Sequence, residues 1–272
     1  MVYAANDEFS ASCENQVNDV RIVNLPDFSE VEHLHCEISP SSAAYNLIHS
    51  HCVVIATISW QLAHHQNVLL AAKTDVPMSD VLRKRASLAK DGMINLIGDN
   101  PLPEVVGGYA PTRYVDEYAA CIGGLLHDIG TYKVLAKNGS SDDDELRFDG
   151  PRYILHGIRG YNYLLKHGVS EEAAQFARNH TGVGLTKEQV IAQKLPLPYA
   201  DYLPLTVEQE IVMVADKYNS KSIPPRFLTV DSYRRKAARF GESNARKWMQ
   251  LVEKYGEPNI AVLADRFNMR VS

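Results

Sequence analysis

From Cys121 to Leu126 every residue is apolar or glycine, and the run ends on the pair His127-Asp128. The wider stretch Asp116–Ile129 is apolar almost all round, and a helix of that kind lies in the middle of a fold with other elements on every side. Its far end carries an imidazole and a carboxylate into the interior. An ionised carboxylate is very costly to bury unless it is paired or bound to a metal. Whatever this chain folds into must bring compensating groups to Asp128.

The rest of the sequence supplies helices to surround that run. Ser41–His65 repeats Leu47, His51, Ile55, Ile58 and Leu62 at helical spacing, the stripe of a core-facing helix. Asp80–Ile97 is a second, more charged amphipathic stretch. Tyr153–Lys166 places Ile154, Ile158, Tyr161 and Leu165 in register. Ser170 is an N-cap with Glu171 and Glu172 in the first turn, opening a helix to about His180. Thr206 and Gln209 have capping-box spacing for a helix through Asn219. Val230–Phe240 and Glu242–Tyr255 follow, broken by Gly241, and Asn259–Arg266 adds a last turn or two.

No alternating strand pattern persists, so the expected fold is all-α. It reads as an irregular arm or packed extension over 1–40, a helical domain over 41–222 and a helical extension over 223–272 packed on the same domain. Asn100–Pro111 and Lys137–Pro151 read as loops, the second with the solvated acidic run Asp142-Asp143-Asp144-Glu145.

Composition narrows the function. With 45% apolar and 22% charged residues over 272 positions, the chain is neither disordered nor fibrous. A net charge of −5 argues against a general nucleic-acid binder. No apolar stretch approaches the roughly 20 residues of a membrane span. The start lacks a secretory signal, and Cys13, Cys36, Cys52 and Cys121 form no CxxC pair; Cys52 and Cys121 read as buried thiols. A reducing cytoplasm is the expected location. There is no Walker A loop, GxSxG elbow or HExxH helix, and Thr181–Lys187 reads as a helix C-cap at Gly182 and a turn.

Ten histidines and seventeen aspartates give about 0.6 His-Asp dipeptides by chance, so the pair alone says nothing. Its setting does. His51 sits in an apolar stripe, His127-Asp128 ends the central run, and Asp216 follows the apolar Ile211–Ala215. Three separate helices each place a metal-type ligand where a core residue belongs. Taken singly, a core histidine is more often hydrogen-bonded, and Asp216 has Lys217 and Lys221 close by as ion-pair candidates.

At His51-Cys52-Val53-Val54-Ile55-Ala56, Gly124-Leu125-Leu126-His127-Asp128-Ile129-Gly130 and Val214-Ala215-Asp216-Lys217 the sequence resembles the HD-domain metal-dependent phosphohydrolases, specifically the HDIG subgroup. The resemblance covers about residues 43–221. It implies that His51, His127, Asp128 and Asp216 hold one divalent ion. It also implies that His156 and His180 hold a second, with Asp128 bridging. Mn, Fe, Ni, Zn and Mg are not distinguished by these ligands. His49 competes with His51 as first ligand, but His51 lies on the apolar stripe. His33, His35, His64, His65 and His167 read as surface or packing residues.

Two departures stand out. The gap from His51 to His127 is long, so residues 67–112 read as an insertion, open to a role as lid, dimer contact or substrate-selecting wall. No GYP motif follows the third histidine, which removes support for cyclic-dinucleotide cleavage. The implied chemistry is hydrolysis of a phosphate mono- or diester, with a nucleotide or another small phosphorylated metabolite as substrate and His127 and Asp128 at the reacting centre. Lys133, Arg159 and Lys217 are the candidates for substrate oxygens. The alternatives are a di-iron HD-fold oxygenase and a non-catalytic nucleotide-binding regulatory module.

Overall fold

The computed structural model of the chain describes residues 16–99, 101, 103–140 and 145–272. Met1–Ser10, where the secretory-signal reading falls, Cys13 and the acidic run Asp142–Asp144 lie outside them. The described residues are mostly helical, in an all-α arrangement with only small sheets.

The first helix, α1 (Phe28–Ile38), starts on Asp27, whose carboxylate takes the Glu30 amide while the Glu30 carboxylate takes the Asp27 amide. Of the two forms expected over 1–40, irregular arm or packed extension, residues 28–38 take the packed one, as a helix the periodicity did not show. The signal was present as Asp-x-x-Glu, and Val31, Leu34 and Ile38 form the buried stripe behind it.

Helix α2 (Ser42–Ala71) is capped by Ser41 and takes in residues 67–71 of the expected insertion. α3 (Asp80–Ile97) follows with Ser79 as N-cap, and α4 (Glu117–Leu126) is the central apolar helix, buried at every position. Two glycines let its neighbours close on it. A Cβ on Gly124 would lie 2.5 Å from the Ala56 Cα of α2. A Cβ on Gly123 would meet the Phe176 ring at 2.2 Å. Backbone therefore packs on backbone along the α2–α4 seam.

After α4 the chain tightens into a 3-10 turn, Ile129–Val134. A second 3-10 turn, Gly150–Leu155, leads into α5 (His156–Lys166), and α6 (Glu171–Arg178) ends two residues before His180. Gly130 sits against the His156 carbonyl and the Gly160 backbone, where any side chain would collide. Past the Gly182 turn, α7 (Lys187–Ala192) is a short helix the periodicity did not show; a Thr186/Gln189 capping box starts it.

α8 (Val207–Ala215) stops at Asp216 and gives way to a 3-10 turn, Asp216–Tyr218, where a continuous helix to Asn219 was expected. That change of winding turns Asp216 and Asn219 to one side. α9 (Val230–Ala238), α10 (Glu242–Tyr255) and α11 (Ile260–Arg266) pack through Trp248, Tyr255 and Leu263 onto the core that α2, α4 and α8 share.

Among the described residues, three small sheets tie loops together. β1 (Val105–Val106) pairs antiparallel with β6 (Glu257–Pro258), and β2 (Leu135–Lys137) with β3 (Arg147–Phe148). β5 (Arg226–Phe227) runs antiparallel to β4 (Asn219–Ser220) and parallel to β7 (Arg270–Val271). Among the described residues, no helix is long and apolar enough to cross a membrane.

Candidate metal centre

The six residues singled out in the sequence converge. His51 comes from the middle of α2, His127 caps α4, Asp128 opens the following turn and Asp216 caps α8. His51 Nε2 lies 3.2 Å from Asp128 Oδ2 and 3.2 Å from Asp216 Oδ1. His127 Nε2 lies 3.4 Å and 3.5 Å from the same two oxygens. The other Asp128 oxygen faces elsewhere: Oδ1 is 3.6 Å from His156 Nε2 and 3.5 Å from His180 Nε2. One carboxylate thus serves two groups, His51/His127/Asp128/Asp216 and Asp128/His156/His180.

The imidazoles are all oriented the same way. Three donate Nδ1–H to the carbonyl three residues earlier: His127 to Gly124 at 2.7 Å, His156 to Tyr153 at 2.6 Å and His180 to Ala177 at 2.8 Å. His51 Nδ1–H donates to Asn219 Oδ1 at 2.8 Å. With Nδ1 committed, each ring turns the lone pair of Nε2 inward, which is how a metal-binding histidine is held. His127 Nε2 is fully buried with no hydrogen-bond partner. His156 Nε2 and His180 Nε2 face each other at 2.9 Å. Lone pairs so placed repel unless a cation stands among them. The donor set of imidazole and carboxylate suits a divalent metal and fits the site.

Burial and charge pull against each other at these groups: burial would lower the His127 imidazole, but the Asp128 and Asp216 carboxylates raise it well above its usual range. Burial pushes the Asp128 carboxyl up, but the Lys221 ammonium and His127 outweigh it and hold it well below the usual range. Asp216 is held down in the same way against burial by Lys217 and the two histidines. Burial takes His156 down to about 3 and lowers His180 too, so both rings are neutral and free to ligate. Thr131 donates its hydroxyl to Asp128 Oδ1 at 2.8 Å.

A cavity of about 560 Å³ opens on the cluster. Tyr153, His156, His180, Asp216, Lys217 and Lys221 form its floor, the 181–196 segment one wall, and Lys236, Phe240 and Asn244 another. Lys217, a sequence candidate for substrate contact, borders it while bound to Asp216 Oδ2 at 2.6 Å and the His180 carbonyl at 2.9 Å.

Lys133 and Arg159 require correction. Arg159 donates to the Lys133 carbonyl, and both line a separate shallow depression with Glu37, Asn162, Tyr163 and Lys166. Neither borders the cavity that opens on the cluster. His49 is also elsewhere, paired with Glu32 at 2.9 Å and stacked on Tyr45.

Sequence reasoning missed Lys221 as the partner of Asp128, and Asn219, Thr131 and Lys236 altogether. Asn219 and Thr131 each follow a site aspartate by three residues, the reach of one tight turn, which was the available signal. Lys236 lies outside the motif span and had none.

Comparison with known proteins agrees with this geometry. Residues 105–220 match the family model described as HD domain. The match reaches the domain and no subgroup within it. An uncharacterized protein of Methanocaldococcus jannaschii is 38% identical over 102 residues, 38% of this chain and 49% of that protein. A tRNA (cytidine(56)-2'-O)-methyltransferase of Picrophilus torridus is 36% identical over 101 residues, 37% of this chain and 24% of that protein. The Thermoplasma volcanium protein of the same name is 28% identical over 150 residues, 54% of this chain and 38% of its own length. The chain thus spans half or less of the curated relatives it matches. No solved structure matches it.

Proposed function

With residues 105–220 an HD domain, we propose that this chain is a metal-dependent phosphohydrolase acting on a small phosphorylated metabolite, with nucleotides in that class. The observation that carries the reading is the pairing of the His/Asp cluster with a cavity bordered by three ammonium groups, Lys217, Lys221 and Lys236. A cluster of that kind bordered by cations suits an anionic substrate, and that favours phosphate ester hydrolysis over an oxygenase built on the same ligands.

His51, His127, Asp128 and Asp216 would hold one divalent ion, and His156 and His180 a second, with Asp128 shared. Such ions bring the pKa of a coordinated water towards neutrality and polarise a phosphoryl oxygen. The chain's own residues do the rest. Asp128 orients the attacking water and takes up its proton, with Thr131 fixing the carboxylate. Lys221 and Lys217 keep the two carboxylates ionised and stand at the cavity floor, where phosphoryl oxygens would lie. Val183, Leu185 and Leu195, which line the cavity, limit bulk water near the reacting phosphorus.

The methyltransferase name belongs to the two relatives that carry it. Their matched stretches are a minor part of those proteins, and the described residues here contain sheets of only two and three short strands. Beyond those names, nothing in the cluster or the cavity favours a transferase reading. The test is phosphate release from a panel of nucleotides and sugar phosphates by the full chain with added Mn²⁺, Fe²⁺ or Mg²⁺. The reading expects turnover on at least one class and none with chelator. Metal-dependent oxygen consumption without phosphate release would replace it with the oxygenase.

A further inference from the structure

The three ammonium groups bordering the cavity are not equivalent. Lys217 is tied to Asp216 and the His180 carbonyl, and Lys221 to Asp128, so their charge is answered within the site. Lys236 comes from α9, beyond the segment that matches the HD domain. It forms no ion pair among the described residues. It stands 5.9 Å from the centre of the Tyr233 ring, which Lys217 also approaches, at 6.0 Å. Phe240, four residues on, borders the same cavity and is 66% exposed.

A cation in no direct ion pair among the described residues, felt by Asp216 only at longer range, and an uncovered aromatic ring four residues on suit a ligand that is anionic at one point and flat beside it. The phosphoryl group to be cleaved would lie at the cluster with Lys217 and Lys221. Lys236 is therefore left for a different anionic group of the same molecule. We propose that Lys236 is a specificity-determining residue that selects phosphoesters carrying a second anionic group, with Phe240 receiving the flat organic part beside it. Gln193 of the 181–196 segment borders the same cavity, as does Gln189, whose amide oxygen accepts from the Thr186 N–H at 2.8 Å. The inference rests on the phosphohydrolase reading.

Adenosine 5'-monophosphate and adenosine 3',5'-bisphosphate differ by one phosphoryl group and form a matched pair of probes. Both are offered to the metal-loaded full chain, with calorimetric affinity and steady-state phosphate release read separately. The wild type is expected to favour the bisphosphate by about tenfold in Kd and KM, the scale of one charge-assisted contact. Lys236→Met is expected to bring that ratio close to one through KM, with the kcat values of the two substrates moving together. Lys236→Arg should restore most of the ratio. Arg234→Met, a charge loss at an exposed site on the same helix paired with Asp231, should keep it. Equal affinity of the wild type for both probes, binding of neither, or a preference that survives Lys236→Met overturns the inference. A binding preference that depends on Lys236 with no phosphate released overturns the hydrolase reading and leaves the anion site standing.

Discussion

His156 Nε2 and His180 Nε2 face each other at 2.9 Å, each ring pinned through Nδ1 to the carbonyl three residues before it. Neither ring can turn away without breaking that bond, so the pair is held open for a cation. His156→Ala or His180→Ala should release one ion and leave the His51/His127/Asp216 group able to hold the other. Turnover is expected to fall by about a hundredfold or more, in line with loss of a metal ligand or its support. Metal analysis and phosphate release on the same sample check this.

Lys133→Ala and Arg159→Ala should keep kcat/KM within about twofold, because their side chains line a depression away from the cluster; surface changes of this sort rarely cost much. Lys221→Met should behave differently. It removes the ammonium that pairs with buried Asp128, and a loss of at least about tenfold in kcat/KM is expected from a charge-assisted contact. Parallel kinetics on the three variants decide which cations face the reacting phosphate.

Gly124→Ala is a packing test. The new methyl would lie 2.5 Å from the Ala56 Cα, a backbone atom that cannot step aside alone. Overpacking at such a seam costs roughly 1–3 kcal/mol. Urea unfolding should show a lower midpoint, and activity should drop with it, since α4 carries His127 and Asp128.

His35 gives a pH signature independent of the metal ligands. It is buried between the Leu125 carbonyl at 2.8 Å and the Tyr132 hydroxyl at 3.1 Å, and burial takes it down to about 4. Between that value and about 6.5 the unfolded chain binds a proton that the folded chain refuses. Stability is therefore full above about pH 6.5 and falls as pH drops towards 4, by an amount on the order of 3 kcal/mol for the whole interval. His35→Gln removes the titration, so its stability measured by denaturant should lose less over that range than the wild type does.

The ligand set was legible in the sequence because burial and charge conflict there. His51, His127, Asp128 and Asp216 each interrupt an apolar helical pattern, and that conflict shows without coordinates. The caps at Ser41, Ser79, Ser170 and Thr206 start helices where expected. What stayed hidden depends on how elements meet. Lys133 and Arg159 are near the motifs in sequence, but the fold lines a separate depression with them. Lys221 and Lys236 reach the cavity only because the chain after Asp216 turns through tight 3-10 and strand segments before α9 begins. Helix α1 was legible too, since Asp27 and Glu30 have capping-box spacing, a local signal rather than a tertiary one.

Asp128 is the residue on which both ligand groups depend. Elemental analysis of full-length protein purified without chelator, for the wild type and Asp128→Ala side by side, tests this with no assumption about substrate. About two divalent ions per wild-type chain are expected, with well under one in the variant while far-UV dichroism stays helical. A wild-type chain that turns over substrate free of metal, or a variant that keeps the full metal complement, would show that these six residues do not form a metal centre.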